Sequence, residues 1–211
     1  MGMTTNAVIH VVDDDDSVRE SLRRVLELGG FDVRCHASAG DFLMAWPLDA
    51  PGCVLLDVRM PGPSGLDLQL ALTHRHDALP VVFMSGYGDI PMSVLAIKRG
   101  AVDFLTKPIE REPLLAAVGT AVERSQTLHA IDHRRRAVRE RFETLTSRER
   151  VVFEQVSAGR LNKQIAATLC TCERTVKAHR ANVMQKMQAH SVAELVRIAI
   201  QLEADAEPVT T

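Results

Sequence analysis

The sequence specifies an α/β protein, a doubly wound parallel five-stranded sheet, followed by a second, smaller all-α domain of four helices. Three observations predict this class. From residue 7 to about 125, short apolar runs alternate with amphipathic stretches, the pattern of parallel strands joined by crossover helices. Beyond residue 142 the periodicity is helical throughout, with short breaks. Acidic, hydroxyl and lysine side chains fall at the ends of successive runs, where open parallel sheets place their working sites.

The runs lie at residues 8–12, 32–35, 53–56, 80–84 and 102–105. The third and fourth are apolar throughout, as strands covered on both faces tend to be. Val18, Leu22, Val25 and Leu26 share one helical face. Asp16 and Ser17 are expected to start that helix, and Gly29-Gly30 to end it. Ser38 with Asp41 starts the second helix, Gly100 closes the fourth, and Leu115, Val118 and Val122 line the fifth. Residues 126–142 are polar and basic, from His133-Arg134-Arg135-Arg136 to Arg139 and Arg141, and read as an exposed linker helix. This divides the chain into a domain at 1–125, the linker at 126–142, and a domain at 143–211. In the last, Thr146 with Glu149 forms a capping box, Asn162 caps a second helix after Gly159, and Ser191 with Glu194 caps a fourth. The tail from Ala204, with Pro208, is polar and expected to fray.

Among 211 residues, 46% are hydrophobic and 25% charged, as in ordinary globular proteins. The formal net charge of −2 means that any nucleic-acid surface must be a local patch. Cys35, Cys53, Cys170 and Cys172 have no zinc-site spacing, and Cys35 and Cys53 sit in strand-like runs as small hydrophobes. No stretch reads as a signal peptide, and no apolar segment approaches the roughly 18 residues that span a bilayer. The expectation is a cytoplasmic protein with reduced thiols and no membrane partner.

Asp13 and Asp14 follow the first run, Asp57 ends the third, Ser85 the fourth, and Lys107 (before Pro108) the fifth. A parallel sheet brings all of them to one rim. Clustered carboxylates offer hard oxygens to magnesium, or manganese, and such an ion can neutralise phosphoryl oxygens while one carboxylate attacks phosphorus. Lysine and a hydroxyl suit the remaining oxygens. A haloacid-dehalogenase-like phosphatase would need an acid two residues beyond its nucleophile; Arg59 stands there and cannot donate a proton near neutral pH.

Val11-Val12-Asp13-Asp14, Leu56-Asp57-Val58-Arg59-Met60-Pro61 with Gly65, Met84-Ser85-Gly86 and Phe104-Leu105-Thr106-Lys107-Pro108 resemble the receiver domain of response regulators, over residues 7–125. The resemblance implies that Asp57 accepts phosphate from a sensor histidine kinase. It implies that Asp13, Asp14, Asp57 and the Arg59 backbone carbonyl hold magnesium, and that Lys107 contacts the phosphoryl group. Ser85 and Phe104 would change position on phosphorylation. The chain would then be a regulator and not an enzyme, beyond assisting its own phosphorylation and dephosphorylation.

In the second domain, a short helix from Asn162 is followed by a break at Cys170-Thr171-Cys172-Glu173 and a longer helix to about Met187. Val176, Val183 and Met187 converge on one face, while Arg174, Lys177, Ala178 and Ala181 cluster opposite. Small residues beside long cations suit a helix in the DNA major groove. Asn162, Lys163, Thr175 and Lys186 are placed to reach phosphates, and Arg180, nearer the core edge, is assigned to a flanking phosphate. The strings Leu145-Thr146-Ser147-Arg148-Glu149, Asn162-Lys163-Gln164-Ile165-Ala166, Arg174-Thr175-Val176-Lys177-Ala178-His179-Arg180 and Lys186-Met187 resemble the LuxR-type helix-turn-helix. Together the two halves resemble the NarL/FixJ family. One departure is Cys172, where serine is usual, which predicts a weakly capped second helix. The family implies a homodimer on phosphorylation, with Lys98 and Asp103 as the expected pair across it, binding to promoter DNA, and contact with RNA polymerase. The rival reading is a phosphorylation-controlled protein-interaction module that never binds DNA; a flat salt dependence would favour it.

Overall fold

The computed structural model describes residues 7–45, 50–73, 79–86 and 90–206. Pro208 lies outside them. The chain divides into two compact units, Met1–Ala130 and Ile131–Thr211.

In the first unit, strands β1 (Val8–Val12), β2 (Asp32–His36), β3 (Gly52–Asp57), β4 (Val81–Ser85) and β5 (Asp103–Thr106) alternate with helices α1 (Asp16–Leu28), α2 (Ala39–Met44), α3 (Gly65–Thr73), α4 (Ile90–Lys98) and the first part of α5 (Arg111–Glu143). All neighbouring strands pair in parallel, in the order β2-β1-β3-β4-β5. The register sets Val12 beside Leu56, Asp57 beside Met84 and Ser85 beside Thr106, so the chemistry-bearing strand ends share one rim. The apolar third and fourth runs become fully buried strands. One core layer gathers Ile9, Leu26, Leu55, Val82, Leu114 and Val118, and another Phe42, Leu56, Leu68, Leu72 and Phe83. The edge strand β2 differs from expectation, because Cys35 is exposed and only Cys53 is buried. An edge strand has one neighbour, and its outward residues meet solvent.

Helix starts follow local chemistry. Asp15, not Asp16, caps α1, its carboxylate accepting from the Ser17 and Val18 amides. Ser38 caps α2 by accepting from the Asp41 amide. Gly30, at φ 87°, and Gly100, at φ 89°, close α1 and α4 in the left-handed conformation that glycine adopts freely. The stretch expected as an exposed linker helix is helical, as the continuation of α5, which runs unbroken to Glu143. No residue in 126–142 is a proline or glycine that would stop it.

The second unit adds α6 (Ser147–Ser157), α7 (Asn162–Thr168), α8 (Glu173–Lys186) and α9 (Val192–Ala206) around Val152, Phe153, Ile165, Val176, Val183, Met187 and Leu195. Thr146 and Glu149 form the expected reciprocal capping box. Ser191 accepts from the Glu194 amide, and Glu194 accepts from the His190 amide. Among the described residues, no helix is long and apolar enough to cross a membrane.

Candidate functional site

The carboxyl rim of the sheet centres on Lys107. Its ammonium lies 2.6 Å from Asp13 Oδ2 and 2.8 Å from Asp57 Oδ1. Asp13 is fully buried and Asp57 nearly so. Burial pushes the Asp57 carboxyl above its ordinary pKa, against the pull of the Lys107 hydrogen bond and charge. Burial alone would lower Lys107, but its bonds to Asp13 and Asp57 carry it above the usual lysine value. The remaining oxygens are also held, Asp13 Oδ1 by the Asp15 amide and Asp57 Oδ2 by the Arg59 amide. Arg19 was not singled out in the sequence. Its Nη1 donates to the Asp13 carbonyl at 2.6 Å and its Nη2 pairs with Asp16, and the signal was its position one turn after the acidic run.

The three carboxylates expected around one cation are not all gathered. Among the described residues, no group of three His, Cys, Asp or Glu is close enough to hold a metal. Asp14 is exposed, and Lys107 draws Asp13 and Asp57 to itself. The donor chemistry still fits a hard divalent ion, since two buried carboxylates already converge on one positive centre with a third acid adjacent in sequence.

Ser85 is buried at the rim, with its hydroxyl donating to the Gly86 carbonyl at 2.9 Å. Phe104 is half-buried, packed on the second core layer with its ring 6.4 Å from that of Phe83. Gly65 begins α3 directly beneath the site, where a Cβ would lie 2.2 Å from the Asp57 carbonyl oxygen. Lys98 and Asp103 are both exposed, and Asp103 Oδ1 accepts from the Phe104 amide.

In the second unit, α7 and α8 are joined through Cys170, at φ 50°, whose left-handed turn lets the Thr171 amide bond the Ala166 carbonyl. Val176, Val183 and Met187 face the core, while Arg174, Lys177, Ala178 and Ala181 are exposed together. Thr175 and Lys163 are exposed too. Cys172 is the N-cap and makes no side-chain cap bond to the backbone. Its sulfur sits 3.2 Å from Thr175 Oγ1, and that contact lowers the thiol pKa.

One helix start in this unit differs from expectation, and three expected DNA-contact residues have partners within the unit. Asn162 does not cap α7; Leu161 holds that position, its amide donating to Gln164 Oε1. Asn162 Oδ1 instead accepts from Arg180 Nη1 at 2.9 Å, which ties two expected phosphate-contact residues to each other. Lys186 turns inward, donating to Glu149 Oε2 at 2.7 Å and to the Thr144 carbonyl. A half-buried lysine so held ties the end of α8 to α6.

Residues 9–119 match the response regulator receiver domain family. The chain belongs to the response regulators. Residues 143–199 of this regulator match the luxR family of bacterial regulatory proteins. It is 43% identical to the response regulator protein TodT of Pseudomonas putida, over 95% of this chain and 88% of that protein. It is 46% identical to the transcriptional regulatory protein FixJ of Azorhizobium caulinodans, over 94% of each. The solved structure of the response regulator StyR superposes with a TM-score of 0.82 at 41% identity, covering 93% of this chain and 99% of that one. The regulator therefore pairs a receiver with a LuxR-type DNA-binding domain, as transcription regulators do, and the relatives it resembles are named as response and transcriptional regulators.

Proposed function

We propose that this response regulator receives a phosphoryl group on Asp57 from a sensor histidine kinase and, so modified, pairs with a second copy and binds promoter DNA to change transcription, activation being the expected sign. The observation that carries the reading is the Lys107 ammonium shared by Asp13 and Asp57 at a buried strand end, in a chain whose other unit exposes Arg174, Lys177, Ala178 and Ala181 on one helix.

The ionised Asp57 oxygen attacks phosphorus as the kinase histidine leaves, giving an acyl phosphate. Lys107 neutralises the oxygens that arrive beside it. Asp13, Asp14, Asp57 and the Arg59 carbonyl would hold magnesium, or manganese, which supplies charge neutralisation to the phosphoryl group. Ser85 would exchange the Gly86 carbonyl for a phosphoryl oxygen, and Phe104 would settle deeper against Phe83. Lys98 on α4 and Asp103 on β5 are exposed beside the apolar Val94, Leu95 and Ile97, which supports a receiver–receiver contact there. Two copies then present two α8 helices to half-sites about one helical turn apart. Lys177, Ala178 and Ala181 would face base edges, with Arg174, Lys163 and Thr175 nearer the backbone. RNA polymerase and a cytoplasmic location follow from a role at promoters.

The test is promoter-fragment binding with and without beryllofluoride. Beryllofluoride should tighten binding of the wild type and leave Asp57→Asn unaffected. Label uptake by Asp57→Asn equal to wild type would rule out the assigned acceptor. Affinity should also fall steeply with salt.

A further inference from the structure

A cleft of about 300 Å³ opens at the far end of β4 from Ser85. Its apolar wall is Leu72, Leu79, Val81 and Leu128, and Arg99 and Arg124 stand at its lining. Both arginines are exposed, and neither has an ion-pair partner among the described residues. Two guanidiniums beside hydrocarbon favour an anion attached to an apolar body.

Gln69 packs behind the apolar wall. It lines the same cleft and is only 2% exposed. Its Nε2 donates to the Ala96 carbonyl at 3.1 Å and toward the Arg99 carbonyl at 3.4 Å. Two carbonyl acceptors require the NH₂ end there, so the amide orientation is determined. Its Oε1 is buried with no hydrogen-bond partner among the described residues. Gln69 joins α3 to the end of α4, and Leu128 and Arg124 belong to α5, so the cleft touches three helices at once.

We propose that this cleft is a binding site for a small organic monocarboxylic acid, whose carboxylate meets Arg99 and Arg124 and whose hydrocarbon part covers Leu72, Leu79, Val81 and Leu128. At about 300 Å³ the space is at the small end for ligand sites, which run to about 1,000 Å³. It suits an aromatic or short aliphatic acid and excludes a nucleotide. The site is independent of Asp57, and binding is expected equally in Asp57→Asn.

The test is a titration of the ¹⁵N-labelled full chain with benzoate, salicylate and octanoate, following backbone amides. Benzyl alcohol and inorganic phosphate serve as controls, the first lacking charge and the second lacking a body. Saturable shifts at Gln69, Gly100 and Leu128 are expected for the acids, at least tenfold weaker in Arg99→Ala/Arg124→Ala, two exposed positions that leave the core intact. Three results would overturn the proposal: no saturable shifts with any acid, shifts unaltered by the double arginine variant, or phosphate binding as tightly as the acids.

Discussion

At the scale of single residues, the site depends on contacts that leave almost no tolerance. Gly65 is the sharpest case. Its missing Cβ makes room for the Asp57 carbonyl, 2.2 Å from where that atom would be. Gly65→Ala must therefore move either α3 or the end of β3. Overpacking of this kind costs about 1–3 kcal/mol; chemical denaturation should show that loss, together with slower label uptake at Asp57. A Gly65→Ala protein with unchanged stability and phosphorylation would mean that the α3 start does not position Asp57. Lys107→Ala tests a different contact. It leaves two buried carboxylates facing each other, so the Asp57 pKa should climb further. The pH at which label uptake falls by half should move upward relative to wild type, with the sign set by an acceptor that must be ionised to attack.

At the scale of elements, helix α8 is held by one ion pair as well as by its apolar face. Glu149 on α6 and Lys186 at the end of α8 lie 2.7 Å apart, with Glu149 buried. The Lys186 hydrogen bond, with the Thr146 amide, brings Glu149 down to about pKa 2. Removing the lysine strands a buried charge, a loss that solvent screens in part because the Lys186 side chain is 35% exposed. Lys186→Ala should lower stability of the second unit by about 1–3 kcal/mol, and any weakening of DNA binding should vanish once the folded fraction is accounted for. By contrast Lys177→Ala, on the exposed face of α8, should change base preference without changing stability; equal effects of Lys177→Ala and Lys186→Ala on both readouts would refute this division. Edge strand β2 gives a similar lesson. The run at residues 32–35 suggested buried cysteine, yet Cys35 is exposed because the strand has no neighbour beyond it among the described residues.

At the scale of the whole molecule, acid should unfold the two units in separate pH windows. In the receiver, His10 is buried on β1 with Nδ1 3.0 Å from His36 Nε2, and both rings pack edge-on to Phe42. Burial, with His36 and Arg34 nearby, lowers His10 from 6.5 to about 4; burial lowers His36 as well, opposed by Asp41. The unfolded chain binds the proton that folded His10 refuses, so receiver stability is full above about pH 6.5 and declines toward pH 4. Glu149 has the depressed pKa of a paired acid, so its contribution is full above about pH 4.5 and is lost toward pH 2. Hydrogen exchange measured from pH 7 to 4 should weaken protection in β1 and β2 first, and His10→Phe should remove that early loss. Protection unchanged across this range in the wild type would refute the assignment.

The sequence by itself determined the order of strands and helices, the division into an α/β and an all-helical half, and the set of residues at the strand ends. Those follow from periodicity and from residue types that serve one chemistry, both local properties. It also placed Val176, Val183 and Met187 on the buried face of α8, since a helix wheel needs no partner to be drawn. The tertiary structure alone decided which polar groups take each other as partners. Asn162 meets Arg180, Lys186 meets Glu149, and Lys107 lies between Asp13 and Asp57. Such pairings join residues 18 to 94 positions apart in the chain. A hydrogen bond is set by a few tenths of an ångström and by competition among nearby donors, and those distances exist only once the helices and strands have packed.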